Sequence, residues 1–433
     1  MTQDFDRARV DFLAGVQHFE AGHMQMAEQC FMASLAVLPQ RVSTRVNLAA
    51  TRLRLGRPLQ ALAELDAILA AEPEHLDAWC HHAVALADLG RDAESLASAD
   101  HALAVDPDLA VAWYQRGHAL DRLRHFAEAL AAFQRVVQLQ PARADAWFRL
   151  GQMQQRLGQP SAALQANDRV RALDPSHHEA WSQRGALLKA LQRPDEAAAA
   201  FERAIDLGAD AQLSRFFLGS LRQSAAPPSA PRAYVQSLFD DYADSFDEHL
   251  VGVLGYQAHR RLVAPLPGLH PGAFDAALDL GCGTGLCGPL LKPMVRCLDG
   301  VDLSQGMLDR AAALGVYDSL VQADLVQHLA HTDKRHDLVL AADVFIYVGE
   351  LGPVFGGVMR VLRPGGWFCF SAEQAGDAQA VALTPELRYA HSLPYLQGLA
   401  QGHGLQLRQV LQQPIREHQS QSIAGLYLYL QRP

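Results

Sequence analysis

The chain has 433 residues, 49% apolar and 19% charged, a composition that folds and is long enough for two or three cores. Its 37 lysines and arginines against 47 acids give a formal charge of −10, and acids outnumber bases in both halves. A duplex-binding surface needs a basic stripe to neutralise phosphates, so this balance argues against nucleic acid as a partner. No stretch approaches the ~20 uninterrupted apolar residues of a membrane span. The opening MTQDFDRARVDF has no apolar signal core, and the 6 cysteines show no CxxC or zinc spacing. The expectation is a cytoplasmic protein that holds no metal, its cysteines small core residues.

A repeat dominates the first half. Trp79, Trp113, Trp147 and Trp181 are each 34 residues apart, and so are Pro39, Pro73, Pro107, Pro141 and Pro175. In the unit Ala110 to Arg143, small Gly117 and Ala129 let two helices approach, while Trp113, Leu120 and Phe133 fill the space between. Pro141 stops the second helix, which it cannot continue. The pattern resembles the tetratricopeptide (TPR) repeat. The resemblance implies an all-α solenoid of about six repeats from Ala8 to Ala211. A closing helix over Gln212–Leu221 would complete a domain spanning 8–222. The first two repeats depart from the pattern, with Asp11 and Arg45 where tryptophan would sit, and the sixth has Ala209 for proline. Terminal repeats vary because one face has no neighbour.

The resemblance also implies a concave groove for a protein or peptide. Phe12, Val46, Cys80, Tyr114, Phe148 and Ser182 would face it, with Arg54, Arg122, Arg156 and Lys189 among Glu20, Asp88 and Asp121. A scaffold or self-association surface is the other reading. The pairs His81–His82 and His177–His178 read as surface residues.

Gln223 to Ala233, with three prolines among Ser and Ala, reads as an exposed, semi-rigid linker. After it, short apolar runs alternate with helical stretches. Strands are expected at Ala276–Leu280, Cys297–Val301, Leu320–Ala323, Leu338–Ala341 and Trp367–Phe370. Helices are expected near Leu286–Lys292, Gln305–Leu314 and Leu351–Leu362. This alternation predicts a doubly wound, Rossmann-like α/β domain over 234–433. Leu405–Leu411 and Ile423–Leu430 then suggest an antiparallel closing pair.

The chemistry gathers at LDLGCGTG, Leu278 to Gly285, where the first strand should turn into its helix. Glycines at 281, 283 and 285 let backbone pass close under a ligand. Asp302, at the end of the second strand, can accept from both hydroxyls of a ribose. Gly283, Gly285 and Gly288 also fit GxGxxG, so an NAD-binding oxidoreductase stays open on these residues alone. Asp279 two residues ahead of the glycines, Asp324 after the third strand, HDLVLAADVFIY (His336–Tyr347) and LRPGGWFCFS (Leu362–Ser371) together resemble class I methyltransferases. With the repeats, the chain resembles bacterial methyltransferases that carry TPR repeats.

That resemblance implies a mostly parallel seven-stranded sheet, S-adenosylmethionine as methyl donor and S-adenosylhomocysteine as product. It places Asp279 and the loop of Gly281, Cys282, Gly283 and Gly285 on the methionine end, Asp302 on the ribose, and Asp324 with Leu325 on the adenine. Leu303, Met307 and Ala341 complete the expected contacts. The segment Tyr234 to Leu250 resembles a lid, with Tyr234, Leu238, Tyr242 and Phe246 at helical spacing.

The acceptor leaves less trace. AADVF is not the Asn or Asp followed by Pro-Pro-aromatic used for planar nitrogens, and no Pro-Cys nucleophile is present. Asp343, Tyr347, Glu373, Tyr389 and His391 are the candidates for acceptor contact or catalysis. The expected function is methyl transfer to a protein or small molecule recruited with the help of the repeats. A repeat scaffold with a non-catalytic cofactor sensor is the alternative.

Overall fold

The structure is a computed structural model that describes residues 2–222, 227–242, 246–247, 255–376, 379–418 and 421–433. The chain divides into two compact units, Met1–Leu207 and Gly208–Pro433. No described helix is long and apolar enough to cross a membrane.

The first unit pairs its helices in order. α1 (Thr2–Glu20) packs with α2 (Met24–Val37), α3 (Val42–Arg54) with α4 (Pro58–Ala71), and α5 (Leu76–Asp88) with α6 (Asp92–Val105). Then come α7 (Ala110–Arg122) with α8 (Phe126–Leu139), α9 (Ala144–Arg156) with α10 (Pro160–Leu173), and α11 (His178–Ala190) with α12 (Pro194–Asp206). Small residues set the approach. A Cβ on Gly117 would lie 2.8 Å from Cζ of Phe133, a ring that is fully buried between α7 and α8.

The tryptophan and proline of each repeat form one joint. The indole N–H of Trp79, Trp113, Trp147 and Trp181 donates to the carbonyl of Pro73, Pro107, Pro141 and Pro175, at 2.7, 2.8, 2.9 and 3.1 Å. Each bond ties the start of one repeat to the proline that closes the previous one. Where tryptophan is missing, Arg45 Nε donates to the Pro39 carbonyl at 3.1 Å, so the joint survives the change of residue. Two of the arginines expected in the groove are tied across neighbouring repeats: Arg122 to Asp92 at 3.1 Å and Arg156 to Asp121 at 2.9 Å. Arg143 lies 3.9 Å over the ring of Tyr114.

The second unit opens with α13 (Ala211–Arg222), α14 (Arg232–Tyr242), α15 (Ala258–Val263) and α16 (Leu266–Leu269). Strands and helices then alternate: β1 (Phe274–Leu280), α17 (Gly288–Leu291), β2 (Val295–Asp302), α18 (Gln305–Ala313), β3 (Ser319–Gln322) and α19 (Leu325–His331). β4 (His336–Ala341), α20 (Gly352–Val361), β5 (Leu362–Gln374), β6 (Val381–Leu383), β7 (Tyr389–His391) and α21 (Leu393–Gly402) follow. β8 (Gln406–Gln412), β9 (Glu417–His418), β10 (Gln421–Ser422) and β11 (Gly425–Gln431) end the chain.

The sheet runs β3-β2-β1-β4-β5-β11-β8, the first five strands parallel and β11 antiparallel to both neighbours. Both faces are covered, so the strands read as apolar runs. Alternation sends Leu278, Phe368 and Phe370 to one core and Ala277, Cys369, Tyr427 and Tyr429 to the other. Nine strands belong to the sheet rather than the seven expected, because β7 adds beside the end of β5 and β6 pairs with β7.

Two expectations about the join change. The helix foreseen as the solenoid's closing cap, α13, groups with the second unit, where buried Phe216 packs on Tyr234 and Tyr389 at 5.5 and 6.1 Å. The described part of the proline-rich linker keeps Pro228, Arg232 and Ala233 exposed but buries Ala230 and Pro231, and it is tied to the second unit. The Pro228 carbonyl accepts from the amides of Gly349 and Glu350, Ala230 N–H donates to the Tyr347 carbonyl, and Ser229 bridges Val348. Tyr389 Oη donates to the Pro227 carbonyl at 2.7 Å. Proline lacks a backbone donor but keeps its acceptor, and the strap uses those acceptors.

Phe133→Ala should cost about 3–5 kcal/mol, as an emptied aromatic site does. Chemical denaturation followed in the repeat unit should show its midpoint falling. An unchanged midpoint would contradict the assigned joint between α7 and α8.

Candidate active site

Parallel strands bring their carboxyl ends to one edge, and a ligand crevice forms where the strand order reverses, here between β1 and β4. Four acids sit along that edge. Asp324 follows β3, Asp302 ends β2, Asp279 is next to last in β1, and Asp343 lies just past β4. All four line one cavity of about 480 Å³.

The loop after β1 shapes its floor. Gly281 has φ +66°, and a Cβ there would lie 2.6 Å from Cγ2 of Val344. That leaves glycine as the residue that fits, and its amide donates to the Val301 carbonyl at 2.7 Å. Around Gly283 a Cβ would meet nothing within 4 Å, so this stretch of backbone faces open space. The helix expected over Leu286–Lys292 shrinks to Gly288–Leu291, since Pro289 opens it and Pro293 stops it short.

Each acid is held differently. Asp302 accepts from the amides of Gly283 and Ser304, both at 2.9 Å, while burial pushes its carboxyl above the usual range. Asp279 is 1% exposed; burial pushes it up to about 7, against the pull of Tyr317, whose hydroxyl donates to it at 2.8 Å. Asp324 caps α19, one oxygen accepting from Gln327 N–H at 3.0 Å. Ser304 caps α18 through Met307 N–H and donates from the same hydroxyl to Asp240 of α14. With Thr284 Oγ1 donating to Asp247 at 2.5 Å, that bond fixes the segment containing α14 over the cavity. Val235, Leu238, Phe239 and Phe246 line this roof, and Phe239 meets Phe246 and Tyr347 edge-on at 5.9 and 5.4 Å.

The far end carries a buried ionic cluster. Arg416, 3% exposed, donates through Nη1 to Asp343 Oδ2 at 2.6 Å and through Nη2 to Glu373. Arg388 stands 3.7 Å from the same Glu373 oxygen. Burial and the nearby Glu373 push Asp343 up to about 6 against the pull of Arg416. Asp343 also holds φ +59°, an uncommon conformation for non-glycines in which Asp and Asn are enriched. Tyr347, Arg388 and Arg416 line this end, beside Tyr256 and His259, whose rings stack at 5.3 Å.

Of the residues singled out from sequence, the cavity brings together Asp279, Gly281, Cys282, Gly283, Asp302, Leu303, Met307, Asp324, Leu325, Phe246, Asp343 and Tyr347. Others stand elsewhere. Gly285 packs against Leu314 and Tyr317, and Ala341 is buried in the sheet, with Ala342 lining the cavity in its place. Tyr234 turns into the cluster with Phe216 and Phe217, and Phe239 occupies the roof instead. The side chain of Tyr242 lies outside the described residues. Glu373 sits beneath the lining. His391, fully buried, bonds the Gly349 carbonyl at 3.0 Å, and burial lowers it to about 4, so it is a neutral packing group. Tyr389 is spent on the strap. Arg388, Arg416, Tyr256 and His259 were not foreseen. Arg416 lies in PIREHQS, which the sequence presents as a plain polar connection.

Similarity to known proteins follows the same division. Residues 278–370 match the family described as a methyltransferase domain. Residues 114–178 and 178–209 match tetratricopeptide repeats, and 3–105 match a bacterial transcriptional activator domain. The chain thus matches tetratricopeptide repeats in its first half and a methyltransferase domain over residues 278–370. It is 28% identical over 151 residues to the malonyl-[acyl-carrier protein] O-methyltransferase of Yersinia pestis, covering 35% of this chain and 54% of that protein. It is 31% identical over 160 residues to the demethylmenaquinone methyltransferase of Symbiobacterium thermophilum, covering 34% of this chain and 62% of that one. The chain thus spans only 54% and 62% of the length of these curated relatives. Among solved structures, N-methyltransferase NodS from Bradyrhizobium japonicum WM9 with S-adenosyl-l-homocysteine aligns at 22% identity and TM-score 0.34, over 40% of this chain and 85% of that one. The methyltransferase match decides between the two cofactors that the glycine pattern allowed.

Residues of this domain fit the methyl donor in chemical kind. Asp279, held well above the carboxylate range by burial, suits a cationic amino group, and Gly283 leaves room for a ligand against bare backbone. In the ligand-free chain that burial is destabilising. A carboxyl whose folded pKa is raised favours folding below the unfolded value near 4 and loses that advantage as pH rises toward 7. Asp279→Asn should therefore stabilise the ligand-free chain more at pH 8 than at pH 5, by on the order of 2–3 kcal/mol. Thermal denaturation at both pH values checks this, and an equal or reversed effect would contradict the raised pKa.

Proposed function

We propose that the chain transfers the methyl group of S-adenosylmethionine to an acceptor bound at the β4 end of the cavity, its repeat unit recruiting a protein or peptide partner. One observation carries the reading: four carboxylates at the ends of four neighbouring strands surround one cavity beside a glycine loop. Asp279 and the loop Gly281–Gly283 would hold the methionine end. Asp302 would take the ribose hydroxyls, each oxygen keeping a lone pair beside its amide partner, and Asp324 with Leu325 would take the adenine.

The bound donor supplies an activated methyl on a sulfonium whose departure needs no acid. What the protein must add is alignment, which can supply on the order of 7–11 kcal/mol. The sheet edge fixes the floor, and the apolar roof of α14 with Phe246 excludes water. Matches to repeat families support a partner-binding role for the first unit, whose aromatic and arginine side chains suit an extended peptide.

Charged hydrogen bonds are worth ~1.5–3 kcal/mol, so Asp302→Ala should weaken S-adenosylhomocysteine binding roughly ten- to a hundredfold. Calorimetry on the full chain reads this directly. Unchanged affinity would remove Asp302 from the ribose, and with it the proposed orientation of the donor.

A further inference from the structure

The cluster at the β4 end has one feature that its internal pairing leaves over. Asp343 Oδ2 is taken by Arg416, but Asp343 Oδ1 and Arg416 Nε have no hydrogen-bond partner among the described residues, although both atoms are buried. Leaving such an acceptor unmet is costly, and more so for a charged group. The backbone at Asp343 is also in the left-handed region, and Arg416, 73 residues further along, holds the carboxylate there. Backbone strain of this kind clusters at functional sites, and here it coincides with the unpartnered carboxylate oxygen.

Charge decides which ligand suits it. Asp343 and Glu373 against Arg416 and Arg388 make a quartet with no net charge, so the sum favours neither sign. Of the two atoms left over, Arg416 Nε belongs to a guanidinium already engaged by two carboxylates, and Asp343 Oδ1 is the acceptor open to a cation. A carboxylate would instead meet Asp343 and be repelled. The remaining wall is aromatic: Tyr347, Phe239, Phe246 and Tyr256 line the cavity. Ring faces and a carboxylate together favour an ammonium group.

We propose that Asp343, Tyr347 and Tyr256 form an acceptor subsite for an amine, with Asp343 Oδ1 receiving the ammonium and then one of its protons, and Arg416 acting as the positioning residue. This rests on the methyltransferase reading above. Electrons and atoms balance: the nitrogen gives one proton to Asp343 and uses the freed pair to bond the methyl carbon. The carbon–sulfur bond breaks with its pair left on sulfur, and the proton later passes to solvent.

A pH dependence follows from the groups that face Asp343. They are Arg416 ahead of β9, Glu373 on β5, Tyr347 after β4, Tyr256 ahead of α15 and Tyr427 on β11. Arg416 stays charged and burial holds the three phenols neutral, so among these facing groups Asp343, pushed up to about 6, changes charge between pH 5 and 7.5. Asp279, pushed up to about 7 on the same cavity, titrates there too but lies at the glycine-loop end, which the saturating S-adenosylhomocysteine of the test would cover.

The test compares phenethylamine, phenethyl alcohol and 3-phenylpropionate on the full chain saturated with S-adenosylhomocysteine, by ligand-observed NMR. The amine should bind about tenfold or more tightly than the alcohol, with the carboxylate weakest. Asp343→Asn keeps the backbone conformation available and should erase the preference while S-adenosylhomocysteine affinity stays within about twofold. In the wild type, amine affinity should fall about tenfold from pH 7.5 to pH 5 while the alcohol's does not change, a result that needs no variant to fold. An amine bound no better than the alcohol, a preference that survives Asp343→Asn, or a flat pH profile would each overturn the subsite. The two failures separate: a chain that does not bind S-adenosylhomocysteine at all contradicts the methyltransferase reading, whereas one that binds it without favouring amines contradicts the subsite alone.

Discussion

Gathering like charges into one low-dielectric cavity is the constraint on which the second unit turns. Isolated carboxylates shed their charge when buried, and burial raises Asp279, Asp302 and Asp343 here. Each keeps its place through a different device: a phenol for Asp279, two loop amides for Asp302, a buried guanidinium for Asp343. Apart from the Ser304 amide, two residues past Asp302, these partners come from distant parts of the chain. The carboxyl edge is thus left electrostatically incomplete, and under the proposed function the amino group and hydroxyls of the methyl donor would complete it.

The strap and the roof serve the same edge. The carbonyls of Pro227 and Pro228 tie the chain to the stretch after β4 and to β7, which places α13 and α14 against this unit. Asp240 and Asp247 then pin the roof to Ser304, the cap of α18, and to Thr284, which lines the cavity. The first unit is held by a different logic. Within the repeat Ala110 to Arg143 a buried aromatic packs on a small residue, and four repeats meet the one before through an indole on a proline carbonyl, so contacts are local along the stack.

Legibility in the sequence followed the range of the interactions. The 34-residue period was plain because each joint is repeated, and Arg45 shows that the bond matters more than the residue. The floor was plain too: Asp279, the glycines, Asp302 and Asp324 each act within a few residues of a strand end, where apolar runs mark the strand. What depended on distant partners was hidden. Arg416 reaches Asp343 across 73 residues, and nothing in a Gln- and Ser-rich connection announces it. Helical spacing grouped Tyr234, Leu238, Tyr242 and Phe246; Leu238 and Phe246 line the cavity, whereas Tyr234 turns to Phe216 and Phe217, and Phe239, off that spacing, joins the roof. β6 and β7, three residues each, are too short for a period of two to show. The closing helix fitted the repeat by position, yet its Phe216 is buried among residues of the second unit.

The most direct test is calorimetric titration of the full chain with S-adenosylmethionine, S-adenosylhomocysteine and NAD. The structure predicts micromolar binding of both methionine compounds and no heat from NAD. Binding of NAD with neither methionine compound would contradict it, and every role given to the four acids would have to be redrawn.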